Sequence, residues 1–392
     1  MKFIFSAYKL LSNRRAAASC LSAINVENSN PTLVNVVIDK FIESRVHTVA
    51  PSTLRSDRSK SGKLKNHFKK RLIKDVNHSD IHDLIISFHY RYSNKSINEF
   101  LTILRAVFKR AQRDGAIERN PVDGIENLAV TNKEPKPLSK AEIKKLNDTT
   151  AECLNGKNVV LLNVLTGLRI SELLALAWED INWQRKELYV RRARVLNDYK
   201  TPKTTGSVRT VELNELAITL LKEQFELTGS KRMRTISVLQ ADSKTWIKDT
   251  VRFVFYNSKT NLPFLNAKQF NKTFFTPFLK KAEVQHRGVG QLRHTYASQN
   301  LTAGISKDWI SRQMGHTGTN MIDKHYGRWM RSDAPDFANV AANHLADALG
   351  HSEAIPVEVS SEVPSDVLAL VSALQERPEL KALIQGVIGG AL

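Results

Sequence analysis

Four segments from residue 166 onward carry side chains whose chemistry suits a phosphodiester. TGLRISELLAL holds Arg169 and, one helical turn later, Glu172, while KTPKTTGSVRTVEL holds Lys203. GQLRHTYAS holds Arg293, followed by His294. GHTGTNMIDKHYGRWM, starting at Gly315, holds His316 and, ten residues later, Tyr326, with His325 directly before it. Guanidinium forks stay charged and match the non-bridging oxygens of a phosphate two at a time. An imidazole adds a further donor. A phenol, with an ordinary pKa of about 10, attacks only where positive charge favours its phenolate. Each segment alone has a plainer reading. Arg169 fits a surface position on an amphipathic helix, Lys203 a solvated loop, and Tyr326 a half-buried packing site.

In this order and spacing, the four segments resemble the tyrosine recombinase, or phage integrase, family. That family's pattern is an arginine in TGLRxSEL, a lysine in a β-hairpin, HxLRHT, then LGH and a tyrosine about one short helix later. The resemblance runs from about Pro31 to Met330 and includes GAIERNPVDGI, 115–125. It implies that Arg169 and Arg293 clamp the scissile phosphate, with His316 adding a donor. By the same resemblance, Lys203 is the general acid for the leaving 5′ oxygen, Glu172 supports the site, and Tyr326 is the nucleophile. His325 is a bystander, because adjacent helix positions do not face each other.

Two positions depart from the pattern. Gly290 stands where the family carries a histidine that helps bind the phosphate, and neither His286 nor His294 occupies that place. Tyr326 also falls one residue later after His316 than in many relatives.

The resemblance implies site-specific DNA recombination by the integrase of a phage or other mobile element. Strands would be cut and rejoined through a 3′-phosphotyrosyl link and a Holliday junction, by a homotetramer on attachment-type double-stranded DNA sites. No cofactor and no metal are expected, since the covalent link conserves the bond energy. A host DNA-bending protein and an excisionase are candidate further partners. The other reading is a catalytically degenerate relative that only binds DNA, with Gly290 marking the loss.

The elements that must position these residues follow from patterning. The chain has 392 residues, with 58 Lys plus Arg against 39 Asp plus Glu, a formal net charge of +19. Such an excess points to a polyanion, nucleic acid before an anionic membrane. The two cysteines, Cys20 and Cys153, are too few for a disulfide framework or a Cys-based zinc site. Lys9, Asn13, Arg14 and Arg15 interrupt the apolar start, so export is not expected. No apolar run is long enough to span a bilayer. The expected location is cytoplasmic, with no membrane partner.

The expected fold is mainly α with a small antiparallel β-sheet. Residues 1–30 are poorly patterned. Residues 31–127 read as a small, basic, all-helical domain, which the resemblance makes a core-binding (SAM-like) domain. Its clearest helix opens on a capping box, Ser96 with Glu99. Ile97, Phe100, Leu101, Leu104, Val107, Phe108 and Ala111 then form one stripe, and Gly115 ends it. A basic run from Arg55 to Lys74 reads as a phosphate-contacting surface. Residues 128–138 read as a linker. Residues 139–331, opening on a second capping box at Ser139 and Glu142, make the α+β domain that the resemblance identifies as catalytic. Residues 332–392 form a helical tail with an acidic stretch and two apolar pieces, VLALVSAL and LKALIQGVIGGAL.

Overall fold

The computed structural model describes residues 32–131, 134–202, 208–326 and 333–346, with the side chains of 324–326, 341 and 344–346 outside that description. The chain divides into two compact units, residues 1–133 with 242–245 and residues 134–241 with 246–392. Among the described residues, the first unit holds four α-helices: α1 (Val34–Arg45), α2 (Pro51–Phe68), α3 (His78–His89) and α4 (Asn94–Arg113). Proline at the first position of α2 loses no hydrogen bond there, since that N–H has no partner within the helix. Asn77 and Asp80 close a capping box on α3.

Helix α4 begins earlier than its sequence suggests. The Ser93 hydroxyl, not that of Ser96, caps it by accepting the Ser96 N–H at 3.4 Å. Glu99 is then free to face α2, where it pairs with Lys60 at 3.0 Å. The apolar stripe from Ile97 to Ala111 is buried throughout, as its 3.6-residue period requires. On and just after α2, Lys65 and Arg71 pair with Asp39 and Asp80, while Arg55, Arg58, Lys63, Lys69, Lys70 and Lys74 stay exposed.

The second unit starts with α5 (Lys140–Asp148), α6 (Leu154–Thr166) and the short α7 (Ile170–Leu173). Ser139 and Glu142 close the expected capping box: each backbone N–H meets the other's side chain, at 3.0 and 3.2 Å. A three-stranded antiparallel sheet joins β1 (Ile181–Asn182), β2 (Glu187–Val190) and, later in the chain, β5 (Arg209–Glu212). Between β2 and β5 lies the hairpin β3 (Ala193–Val195) and β4 (Asp198–Lys200). That hairpin belongs to a second sheet, completed by β6 (Arg234–Leu239) and β7 (Trp246–Val251).

The β-forming run ELYVRRARV, 187–195, holds two strands, β2 and β3. It breaks after Val190, where buried Arg192 turns inward to the buried carboxylate of Asp180 at 2.6 Å and also meets Asp249. The segment holding Lys203 leads from β4 into β5 and lies within the long connection between β2 and β5, which pair antiparallel. Lys203 itself lies outside the described residues. Helix α8 (Glu215–Thr228) then crosses over, which lets β6 (Arg234–Leu239) run parallel to β4 before β7 (Trp246–Val251) returns antiparallel. A small ladder of β8 (Tyr256–Asn257) and β9 (Leu262–Pro263) follows.

The last elements are helical. α9 (Ala267–Phe270) passes through a π-turn into α10 (Thr276–Lys281). Then come α11 (Gln291–Thr302), α12 (Lys307–Met314), α13 (Asn320–Tyr326) and α14 (Phe337–Ala346). Helix α11 packs on α6. Asp333, just ahead of α14, is held in this unit by the Lys140 backbone N–H and the Gln299 amide, at 3.1 and 2.8 Å. The remainder of the expected tail, and the expected segment 1–30, lie outside the described residues.

Helix α6 ends at Gly167 in the left-handed conformation, φ 62°, and a Cβ there would lie 2.3 Å from the Tyr296 ring on α11. Only glycine meets both conditions. Gly167→Ala is expected to lower stability by about 3 kcal/mol, combining left-handed strain with overpacking. Urea unfolding monitored by circular dichroism measures it; a loss below about 1 kcal/mol contradicts the account.

Candidate active site

The TGLR turn sets the first arginine. With Gly167 ending α6, Arg169 becomes the N-cap of α7 and Glu172 its third residue. The Arg169 backbone N–H donates to Glu172 Oε2 at 3.0 Å, and its Nη1 donates to Oε1 at 2.8 Å. One carboxylate thus fixes both the turn and the guanidinium. The Glu172 side chain is only 4% exposed, whereas that of Arg169 is 41% exposed.

A second guanidinium closes on the same carboxylate from inside. Arg209, on β5, places Nη2 3.0 Å from Glu172 Oε2 and Nη1 3.4 Å from Oε1. Its Nε donates to the Gln313 carbonyl at 2.7 Å. The Arg209 side chain is 6% exposed. Burial raises the Glu172 carboxyl, but the Arg209 charge and then that of Arg169 outweigh it, so the net shift is below the ordinary value.

Arg293 lies in the first turn of α11 and is 7% exposed. Nη1 donates to the Gly167 carbonyl at 2.5 Å, and Nη2 donates to the Met314 carbonyl at 2.7 Å. Nη2 also lies 2.8 Å from His316 Nε2. A guanidinium can only donate, so Nε2 accepts in this contact. His316 reaches that place because α12 ends at Gly315, left-handed at φ 68°, and the His316 N–H returns to the Ser311 carbonyl at 3.0 Å. Two buried arginines, Arg209 and Arg293, therefore meet consecutive carbonyls at the C-terminal end of α12, where cations are favoured.

Of the residues singled out in the sequence, Arg169, Glu172, Arg293 and His316 thus share one hydrogen-bonded region. Tyr326 is the last residue of α13, and its side chain, like that of His325, lies outside the described residues. Gly290 sits at the N-cap of α11 with right-handed φ −61° and ψ −21°, and nothing lies within 4 Å of where a Cβ would be. His286 contacts the Thr276 hydroxyl at 3.4 Å.

Arg209 is the residue that sequence reasoning missed. A signal was present: Val211 and Leu213 both face inward and are buried, so period-two alternation puts Arg209 on the inner face as well. Among the described residues, no group of three or more His, Cys, Asp or Glu side chains is arranged to hold a metal ion, and no helix is long and apolar enough to cross a membrane.

A helical first unit, a mixed second unit and this arginine-rich centre define the tyrosine recombinase class. Residues 136–330 match the phage integrase family and residues 33–129 match the phage integrase SAM-like domain. The chain belongs to the phage integrase family. It is 32% identical over 276 residues to "Putative defective protein IntQ" of Escherichia coli K12, covering 66% of this chain and 67% of that one. It is 31% identical over 240 residues to prophage integrase IntR of the same organism, covering 60% of this chain and 58% of IntR, less than two thirds of that relative's length.

Two solved structures share the fold. The Tn1549 transposon integrase in complex with a circular intermediate DNA has a TM-score of 0.63 at 21% identity, over 80% of this chain and 100% of that one. A lambda integrase tetramer bound to a Holliday junction has a TM-score of 0.59 at 16% identity, over 79% and 82%. The mainly helical, two-unit fold class expected from the sequence holds.

The depressed Glu172 carboxyl makes the second unit sensitive to acid. Its stabilising contribution is complete above the ordinary value of 4.5 and is lost as pH falls through the lower, folded value. Glu172→Gln is expected to cost on the order of 3 kcal/mol at neutral pH, because Arg209 is left buried without its counter-charge. Urea titrations at neutral and acid pH measure the gap between wild type and variant. It should narrow on acidification; a gap that widens rejects the assignment.

Proposed function

We propose that this chain is a site-specific DNA recombinase, the integrase of a phage or other mobile element, joined to its substrate through Tyr326. The observation that carries the reading is a pair of hydrogen-bonded arms, Arg169 with Glu172 and Arg293 with His316, linked through Arg209 and the end of α12, with Tyr326 ending the next helix of a phage integrase family member. In this reaction Arg169 and Arg293 hold the non-bridging oxygens of the scissile phosphate, and His316 adds a donor as charge builds on them. The Tyr326 oxygen loses its proton and bonds to phosphorus. The bond to the 5′ oxygen breaks, and Lys203 protonates that oxygen. The 3′-phosphotyrosyl link keeps the bond energy for rejoining, so neither ATP nor metal enters.

The same reading assigns residues 31–127 to DNA contact through the exposed lysines and arginines on and after α2, residues 139–331 to catalysis, and residues 332–392 to contacts between protomers. Residues 128–138 link the two domains. Four copies would act at a Holliday junction in the cytoplasm, with a host DNA-bending protein and an excisionase as accessory partners. The relatives named above support the class of substrate: solved fold neighbours are integrases bound to DNA. Gly290 favours the second reading, a DNA-binding relative without strand exchange.

A nicked suicide duplex carrying the element's attachment site, incubated with the protein in EDTA, separates the two. Wild type is expected to form a protein–DNA adduct that survives denaturation, and Tyr326→Phe to form none. An adduct that persists in Tyr326→Phe removes the nucleophile assignment; salt-sensitive binding without any adduct establishes the second reading.

Gly290 supplies an independent check. Its helical backbone and open surroundings accept a side chain without strain. Gly290→His is expected to raise the rate of adduct formation on the order of tenfold, less than the full worth of an optimised donor. An unchanged rate in single-turnover assays means that this position does not reach the phosphate.

A further inference from the structure

We propose that Arg209 is a positioning residue that sets the Arg169 arm and the His316 arm of the site in register, a role that rests on the recombinase reading above. Three of its nitrogens are engaged in two directions: Nη1 and Nη2 on the Glu172 carboxylate, and Nε on the Gln313 carbonyl. Glu172 in turn grips the Arg169 backbone and its guanidinium. Gln313 directly precedes Met314, whose carbonyl receives Arg293, and lies three residues before His316. Arg209 therefore stands between the two arms and touches the support of each.

The strand that carries Arg209 is itself pinned to α12. The Gln313 side-chain oxygen accepts the Glu212 N–H at 3.0 Å, and the Trp309 indole donates to the Glu212 carboxylate at 3.2 Å. With the Arg209–Gln313 bond these make three ties between β5 and α12. They hold a strand whose preceding segment carries Lys203.

Charge gives a second reason for an arginine here. A carboxylate that orients Arg169 also offsets its charge, which weakens its pull on a phosphate. Arg209 supplies an inner cation to Glu172, so Glu172, Arg169 and Arg209 together keep one net positive charge, at the 41% exposed end. An apolar residue here would leave the buried Glu172 carboxylate without its inner counter-charge, and breaking one side of a buried pair is costly. It would neither direct Glu172 nor leave Arg169 its charge. Lysine restores the charge but not the planar fork that meets two acceptors at once.

The test uses the full chain, the suicide duplex and two variants, Arg209→Gln and Arg209→Lys. DNA affinity, read by fluorescence anisotropy, is expected to change by less than about threefold, while the single-turnover rate of adduct formation falls on the order of 100-fold in Arg209→Gln, the scale of an ångström's misplacement. The acid limb of the rate–pH profile should move to higher pH in that variant, because Glu172 then protonates more readily and releases Arg169. Arg209→Lys should return the acid limb towards wild type while recovering only part of the rate.

A folded Arg209→Gln protein with wild-type rate and profile overturns the proposal. So does a parallel loss of affinity, rate and thermal stability in both variants, which is the mark of a merely structural residue. Should Arg209→Gln not fold, Arg209→Lys decides alone: a wild-type rate in it overturns the role of the fork. A wild-type protein that forms no adduct fails the recombinase reading itself, whereas a wild-type adduct with unaltered variants fails only the role of Arg209.

Discussion

Taking the Glu172 carboxylate out of water costs several kcal/mol, and it stays ionised only because two guanidiniums and a backbone N–H converge on it. Each of those donors comes from a place the site depends on: the TGLR turn that presents Arg169, and the strand β5 that presents Arg209. The high cost of leaving this charge unpaired makes the geometry stiff, because any displacement of α7 relative to β5 exposes it. A surface ion pair of the same composition would impose no such constraint, since water would replace either partner.

The rest of the site is assembled from helix ends. Helix α6 stops at Gly167 and α12 stops at Gly315, both left-handed, and their terminal carbonyls have no partner further along the helix. Buried arginines take those carbonyls: Arg293 binds Gly167 and Met314, and Arg209 binds Gln313. Two needs are met at once, since carbonyls lost to water regain donors and the guanidiniums gain acceptors that leave their charge intact. His316 follows directly, because the turn at Gly315 carries it back against Arg293. The clustering of positive charge is thus built into how two helices end.

Local features were readable from the chain alone. The stripe on α4, the capping box at Ser139 and the glycine stop at Gly315 each depend on residues within about a turn of one another, so spacing suffices. The start of α4 was misread because Ser93 and Ser96 are equally good caps by type. Packing decided between them, sending Glu99 to Lys60. The run ELYVRRARV divides for a related reason. Composition marks β-forming residues but not their partners, and the buried Arg192–Asp180 pair splits the run into strands of two different sheets.

The sequence by itself determined the kinds of groups available, their order, and the turns that hold them, all of which are set by residue type and short-range geometry. Joined to the resemblance of their order and spacing to a known family, that singled out Arg169, Glu172, Arg293 and His316 as one set. Only the tertiary structure decided how they are held, because the deciding contacts join residues far apart in the chain. Arg209 lies 37 residues from Glu172 and 104 from Gln313, and Arg293 lies 126 from Gly167. No local pattern encodes which inward-facing arginine meets which buried carboxylate. That choice follows from the packing of α7, β5, α11 and α12 and the cost of leaving any buried charge alone.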